Sequence, residues 1–151
     1  MIVIPIEGYA LLDAIAVGED TNPRDYNELV GGGKFTDFSE FPKWNGWRNS
    51  HAAGRYQFEP ATWHEVAGAL GLKDFSPGSQ DQGAWHLAQE VYKSFEGRDL
   101  LSDLRAGKLW SLTDLDQTWT SINAAIGERY RGAFSARSVL MGMLAPATPS
   151  V

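Results

Sequence analysis

The carboxyl group of Glu19 is the strongest candidate for chemistry in this sequence. A helical pattern places Leu12, Ile15 and Ala16 on one face, and Glu19 continues that face. At the C-terminal end of a helix, desolvation by a core and the negative end of the helix dipole both raise the pKa of a carboxyl. A raised pKa keeps the group protonated near neutral pH, as a general acid requires. A glutamate that lies in solvent at a helix end, with Asp20 beside it, is the alternative, and on the pattern alone it is the more common case.

A second group of polar side chains follows Gly54. Arg55, Tyr56 and Gln57 supply a guanidinium, a phenol and a carboxamide, which suit hydrogen bonding and ring stacking with a sugar. The six tryptophans and five tyrosines of the chain also suit a carbohydrate groove. A surface turn would have the same composition, so this segment alone does not decide between the two interpretations.

The net charge of -6 has the wrong sign for a protein that grips nucleic acid through its phosphates. The charge is uneven, since residues 1–28 hold six acids and one base. Residues 34–58 reverse this balance, because they contain a set of four basic residues and only two acids, Asp37 and Glu40. That set consists of Lys34, Lys43, Arg48 and Arg55. A modest basic surface there could receive an anionic polymer, although a solvated loop of mixed charge is the commoner arrangement.

Several familiar catalytic and cofactor motifs are incomplete. The segment that starts at His64-Glu65 has Gly68 where a zinc-protease helix needs its second histidine. The Gly33-Lys34 pair is not part of a phosphate-binding loop, because Glu28 stands where the first glycine of that loop belongs. The chain has no cysteine and no G-x-S-x-G elbow. We therefore expect neither a metal nor a cofactor.

The elements that would position these groups are mostly helices. Gly31-Gly32-Gly33 predicts the turn of a short, irregular β-hairpin within residues 26–38. Pro60 opens a helix that ends at Gly71, and Ser76-Pro77 opens another that Gly97 stops. Shorter helices are predicted at residues 100–106, 115–122 and 135–144. The sequence predicts one domain over residues 1–144 and a disordered tail over residues 145–151.

Two observations bear on the cellular location. The longest apolar stretch, Tyr9 to Val17, is too short for a membrane span and contains Asp13. The segment from Met1 to Glu7 has no lysine or arginine, so it lacks the basic region of a secretory signal. We expect a soluble chain that does not insert into a membrane.

Several blocks of this sequence are similar to the phage lambda endolysin family of lytic transglycosylases. The strongest lies between Ala53 and Asp81 and includes Gly54-Arg55-Tyr56-Gln57, Leu70-Gly71-Leu72-Lys73-Asp74-Phe75-Ser76-Pro77 and Ser79-Gln80-Asp81. Three others agree in order: Leu12-Asp13 through Glu19, Val30-Gly31-Gly32 with Phe35-Thr36-Asp37, and Trp119-Thr120-Ser121-Ile122. The resemblance implies an α+β, mostly α, lysozyme-like fold with a small β lobe, a helical lobe and an active-site cleft between them.

The resemblance also implies an activity, with Glu19 as the catalytic acid. The expected reaction cleaves the β-1,4 bond between N-acetylmuramic acid and N-acetylglucosamine in peptidoglycan and leaves 1,6-anhydromuramic ends. Gln57, Tyr56 and Arg55 are the candidates for positioning the sugar chain, and Tyr26 and Trp119 for stacking. Two alternatives stay open: a hydrolytic muramidase with Asp20, Asp37 or Glu40 as a second carboxylate, and a non-catalytic wall-binding or virion module.

The family relationship carries expectations about partners and place of action. We expect a monomer that binds peptidoglycan glycan strands and does not bind nucleic acid. Such a protein would be made in the host cytoplasm and would act on the cell wall in the periplasm after a holin-type release.

Overall fold

The computed structural model describes residues 2–20 and 25–142. These residues form five α-helices and one 3₁₀ helix, connected by turns and loops. The elements are α1 (Ile6–Gly18), α2 (Pro60–Leu70), α3 (Pro77–Glu96), α4 (Leu100–Arg105), the 3₁₀ helix (Trp110–Gln117) and α5 (Ile126–Leu140). The tail predicted over residues 145–151 lies outside the described residues.

Helix α1 occupies the centre of the helical part. It packs most extensively against α5 and also contacts α3 and α4. Leu11, Leu12 and Ile15 are fully buried, as are the alanines around them. Because neighbours cover α1 on more than one side, the apolar residues extend beyond the single stripe that the sequence indicated. The C-terminal end of α1 is therefore held against the core.

Helices α2 and α3 have the boundaries that the sequence predicted. Pro60 is the first residue of α2, and Gly71 ends it in the left-handed conformation at φ 69°. Ser76 caps α3 by accepting a hydrogen bond from the Ser79 amide, and Gly97 ends this helix at φ 69°. Capping residues alone sufficed to place both helices.

The C-terminal helices differ from the sequence-based boundaries. The helix predicted at residues 115–122 is instead the 3₁₀ helix, which ends at Gln117 and precedes a turn. The helix predicted to start near Ser135 begins at Ile126. Gly127 and Gly132 interrupt the apolar pattern in the first half of α5, which hid that half from a periodicity analysis.

The predicted hairpin is present as a small irregular β region. Glu28 pairs with Lys34 in an antiparallel bridge, and the Leu29 amide donates to the Gly33 carbonyl oxygen at 2.8 Å. Ala53 pairs with both Leu29 and Phe58. The bridges are isolated and do not extend into longer strands within the described part of the chain. They nevertheless fix the hairpin beside the segment that contains Gly54.

No helix in residues 2–20 and 25–142 is long and apolar enough to cross a membrane.

Two glycines in the α2–α3 pair should respond to alanine substitution in opposite directions. A Cβ atom at Gly83 would lie 2.7 Å from Trp63 Cζ3 and 3.1 Å from Val66 Cγ1, so Gly83→Ala should lower the free energy of unfolding by about 1–3 kcal/mol. A Cβ at Gly68, inside α2, would meet nothing within 4 Å. Gly68→Ala should therefore raise stability by about 0.5–1 kcal/mol. Urea unfolding followed by circular dichroism checks both, and a Gly83→Ala protein as stable as the parent would contradict the close α2–α3 contact.

Candidate active site

Glu19 is the C-terminal cap of α1, with φ -82° and ψ 8°, and its amide donates to the Ile15 carbonyl oxygen at 3.0 Å. Desolvation by burial raises the pKa of its carboxyl, while a hydrogen bond from Ser121 acts in the opposite direction, and burial prevails. The structure therefore confirms the sequence-based expectation of a raised pKa. The neighbouring Asp20 has a left-handed backbone at φ 57° and is exposed.

Ser121 is the residue that contacts this carboxyl from the opposite end of the chain. Its hydroxyl donates to Glu19 Oε1 at 3.0 Å. The turn that carries Ser121 is anchored by Trp119, which is 3% exposed and donates from Nε1 to the Tyr56 carbonyl oxygen at 3.0 Å. The candidate acid is thus connected, through one turn, to the second group of polar residues.

The segment from Gly54 to Gln57 is a tight turn with an unusual backbone. Gly54 has φ 85°, and a Cβ atom there would collide with Gln80 Oε1 and Phe75 Cζ. Gln57 also has a positive φ, 51°, and its Nε2 donates to the Gly54 carbonyl oxygen at 2.8 Å and to that of Glu28 at 3.3 Å. Residues held in such conformations concentrate at functional sites. Gln57 is partly exposed, and the described residues offer its Oε1 no hydrogen bond.

Arg55 and Tyr56 lie in the interior. Their exposed fractions are 1% and 0%. Arg55 donates to Asp13 Oδ1 at 2.8 Å and to the Tyr56 hydroxyl at 2.7 Å, and that hydroxyl donates to Asp81 Oδ1 at 2.6 Å. The expectation that these two side chains touch a sugar directly conflicts with this burial, because their polar atoms bind partners inside the protein.

Two carboxylates in this buried network have pKa shifts of opposite sign. Burial alone would raise the pKa of Asp13, but hydrogen bonds from Arg137 and Arg55 lower it overall. Burial raises the pKa of Asp81, and the hydrogen bonds from the Tyr56 and Tyr26 hydroxyls oppose this rise without cancelling it. The network joins α1, α3 and α5 to the Gly54–Gln57 turn. Its charged residues therefore hold the turn in place.

Tyr26 and Trp119 were the candidates for stacking on a sugar. Tyr26 is half-buried and donates its hydroxyl to Asp81 Oδ1 at 3.0 Å, while its ring meets that of Tyr56 edge to face at 6.4 Å. Tyr26 as a residue is partly exposed. Trp119 is buried among core residues, so its ring face is not open to a sugar.

The basic surface expected over residues 34–58 does not form as a free patch. Lys34 pairs with Glu28 at 2.9 Å and Lys43 with Glu40 at 3.3 Å, and Arg55 is buried. Arg48 lies 4.3 Å over the Trp47 ring. Glu28 and Glu40 thus pair with the two lysines. A count of charges over residues 34–58 does not show such pairs.

Four residues of this region have no role in the site predicted from the sequence: Ser121, Asp13, Asp81 and Arg137. Ser121, Asp13 and Asp81 lie in blocks that carry the family resemblance, and their place in those blocks could have identified them. Arg137 binds Asp13 through Nε and Nη2 at 2.5 and 2.8 Å across 124 residues. No local pattern indicates a contact of that range.

The described residues contain no cluster of three or more histidine, aspartate or glutamate side chains that could hold a metal.

The Tyr56 hydroxyl connects Arg55 to Asp81, and its removal should destabilise the protein. Tyr56→Phe leaves the buried Asp81 with one hydrogen-bond donor fewer, so the free energy of unfolding should fall by about 1–3 kcal/mol. Tyr9→Phe is the matched control, since the Tyr9 hydroxyl has no described hydrogen bond and should matter little. Equal stabilities of the two variants in urea would show that the network does not hold the turn.

Comparison with known proteins identifies the family. A family model described as Endolysin matches residues 9–138. The endolysin of Escherichia phage P2 is 34% identical over 142 residues, which cover 80% of this chain and 82% of that protein. The endolysin of Escherichia phage lambda is 40% identical over 101 residues, which cover 60% of this chain and 64% of that protein, so this match spans just under two thirds of the lambda protein.

Solved structures agree with the sequence matches. The lysozyme of bacteriophage lambda in complex with a chitohexasaccharide has a TM-score of 0.73 and 29% identity, covering 88% of this chain and 97% of that one. A second structure, of lysozyme from bacteriophage lambda, has a TM-score of 0.71 and 28% identity, and the match covers 89% of this chain and 94% of that one. These likenesses confirm the α+β, mostly α, lysozyme-like fold. The chain therefore belongs to the endolysin family of peptidoglycan-cleaving enzymes.

Proposed function

We propose that this endolysin is a lytic transglycosylase that cleaves the β-1,4 bond between N-acetylmuramic acid and N-acetylglucosamine. The observation that carries the proposal is the Glu19 carboxyl, which is half-buried at the end of α1 and has a raised pKa. Such a group is protonated at a pH where an ordinary carboxyl is ionised, so it can act as a general acid. The lambda lysozyme in complex with a chitohexasaccharide supports glycan strands as the substrate class.

The reaction needs one carboxyl because the substrate supplies the nucleophile. Glu19 donates its proton to the glycosidic oxygen while positive charge develops on the muramic ring, and N-acetylglucosamine departs with a neutral hydroxyl. Glu19 is then a carboxylate and takes the proton of the muramic C6 hydroxyl. The C6 oxygen bonds to C1 and closes the 1,6-anhydro ring, and the enzyme returns to its protonated state without consuming water.

A hydrolytic muramidase remains the second candidate, since the comparisons name both endolysins and lysozymes. Its second carboxylate would be Asp20, Asp37 or Glu40, and all three residues are exposed. Hydrogen bonds from the side chain of Ser39 and from its amide, the latter at 2.9 Å, lower the pKa of Asp37. Asp37 and Glu40 line a groove of about 440 Å³ that Glu19 does not line. These observations favour the single-carboxyl reaction.

The substrate-binding residues take two kinds of role in this proposal. Gln57, with its free Oε1, contacts the muramic unit, and the partly exposed Tyr26 contacts the sugar chain. Arg55, Tyr56 and Trp119 act from inside the protein by holding the turn that presents Gln57. This division follows from the exposure of each side chain.

We also propose that the enzyme works as a monomer on peptidoglycan in the periplasm, reached after a holin-type release. The phage endolysins among its relatives support this place of action. The net charge of -6 and the pairing of Lys34 and Lys43 with acids argue against nucleic acid as a partner.

Replacement of the proposed acid should abolish cleavage. Glu19→Gln keeps the shape of the side chain but cannot donate a proton, so the rate of peptidoglycan cleavage should fall by about 10²–10⁴-fold. The assay is the loss of turbidity of purified peptidoglycan, with circular dichroism to show that the variant is folded. A folded Glu19→Gln protein that lyses cell walls at the parental rate would refute the proposal.

The controls for this prediction are the carboxylates of the competing reaction. Asp20→Asn, Asp37→Asn and Glu40→Gln should each retain cleavage within a few-fold of the parent. A loss comparable to that of Glu19→Gln in any of them would favour the hydrolytic muramidase.

Removal of the Gln57 amide should weaken substrate binding more than it slows chemistry. Because Gln57 has a positive φ, Gln57→Ala keeps the backbone strain of the parent residue, whereas Gln57→Gly relieves it. Both variants should raise KM by about tenfold, the value of one hydrogen bond to substrate, with a smaller change in kcat. Gln89→Ala, on α3, serves as the control. Unchanged KM in both Gln57 variants would remove Gln57 from the site.

A further inference from the structure

The hydroxyl of Ser121 makes an asymmetric contact with the candidate acid. It donates to Oε1 of Glu19 at 3.0 Å, and it is the only side chain of the described residues that hydrogen-bonds to this carboxyl. Among the described residues, the two oxygens of Glu19 therefore have different surroundings: Oε1 accepts a hydrogen bond from Ser121, and Oε2 accepts none.

Buried residues on both sides fix Ser121 before any ligand binds. Trp119 lies two residues before it. The ring nitrogen of Trp119 donates to the Tyr56 carbonyl oxygen, and its amide donates to the Leu115 carbonyl oxygen at 2.9 Å. Ile122 follows it, is 6% exposed, and closes the turn with a bond from its amide to the Trp119 carbonyl oxygen at 2.9 Å. The position of the hydroxyl is thus set by the core rather than by solvent or substrate.

The end of α1 leaves just enough room for this contact. A Cβ atom at Gly18 would lie 3.1 Å from Ser121 Oγ, closer than an ordinary van der Waals contact. A larger residue at this position would push against the hydroxyl that reaches Glu19. The glycine thus permits the last residue of α1 to pack directly beside the turn of residues 119–122.

We propose that Ser121 is a positioning residue that keeps the transferable proton of Glu19 on Oε2. The proposal rests on the proposed function of Glu19 as acid and base. In a protonated carboxyl the carbonyl oxygen is a better acceptor than the hydroxyl oxygen, so a fixed donor at Oε1 favours protonation of Oε2. The proton then passes from Oε2 to the glycosidic oxygen, and the proton of the C6 hydroxyl returns to Oε2. Ser121 keeps its own proton throughout.

The same hydrogen bond also supports the second half of the reaction. Once Glu19 has lost its proton, the bond from Ser121 becomes charge-assisted and therefore stronger. It stabilises the carboxylate that must accept the C6 proton, and it limits the rise in pKa that burial causes. Ser121 thus makes one buried carboxyl usable both as an acid and as a base.

The test combines kinetics with a direct titration in the full-length chain. Ser121→Ala should lower kcat by about tenfold with little change in KM, since one hydrogen bond to a charged group is lost. The decline of activity on the alkaline side should move to higher pH, because the bond that lowers the Glu19 pKa is absent. The Glu19 carboxyl carbon, followed by ¹³C NMR, should titrate at higher pH in this variant than in the parent. Ser121→Thr keeps a hydroxyl and should restore both values toward those of the parent.

Ser135→Ala is the matched control, because Ser135 is exposed and has no described hydrogen bond. A lower rate in Ser121→Ala without any movement of the alkaline limb or of the Glu19 titration would assign Ser121 a purely structural role and overturn the proposal. An unchanged rate would overturn it as well. The NMR titration does not require activity, so it reports on the contact even if Glu19→Gln proves active and the proposed function fails.

Discussion

The desolvation of one carboxyl at the end of a buried helix is the interaction on which the proposed chemistry depends. Glu19 gains its raised pKa because α1 runs through the core and ends where neighbouring elements still cover the chain. A helix on the surface would end in water, and its terminal glutamate would lack the desolvation that raises the pKa of Glu19. The packing of α1 against α5 therefore contributes to the proposed catalysis as well as to stability.

The buried ionic network ties the rest of the site to the same helix. Asp13 lies on α1 before the acid, and it binds Arg55 of the turn and Arg137 of α5. Breaking one partner of such a network costs more than forming it contributes, because a charge is then left buried and unpaired. The turn that presents Gln57 and the helix that presents Glu19 consequently keep one relative arrangement.

Local features of the sequence predicted a large part of this arrangement. Proline and glycine caps placed α2 and α3, and the apolar pattern that ends in Glu19 identified α1 and a carboxyl with a raised pKa at its end. Each of these signals acts over a few residues. Exposure could not be predicted in the same way: a guanidinium and a phenol after a glycine fit a sugar site and a core network equally well. Only the distant Asp13 and Asp81 show that Arg55 and Tyr56 belong to the core.

The contacts that the sequence did not reveal are those that connect distant segments. Ser121 and Glu19 are 102 residues apart, and Arg137 and Asp13 are 124 residues apart. The two glycines of α5 also concealed the beginning of the helix that carries Arg137. Tertiary packing, rather than propensity, brings these groups together.

The central claim is that a single buried carboxyl acts as both acid and base, with a substrate hydroxyl as the nucleophile. The chemical nature of the product tests it most directly. Purified peptidoglycan would be digested in water enriched in ¹⁸O, reduced with borohydride and analysed by mass spectrometry. The account predicts muramic ends that are 1,6-anhydro, resist reduction and carry no ¹⁸O. Reducible muramic ends that contain one ¹⁸O atom would contradict it and show that water is the nucleophile.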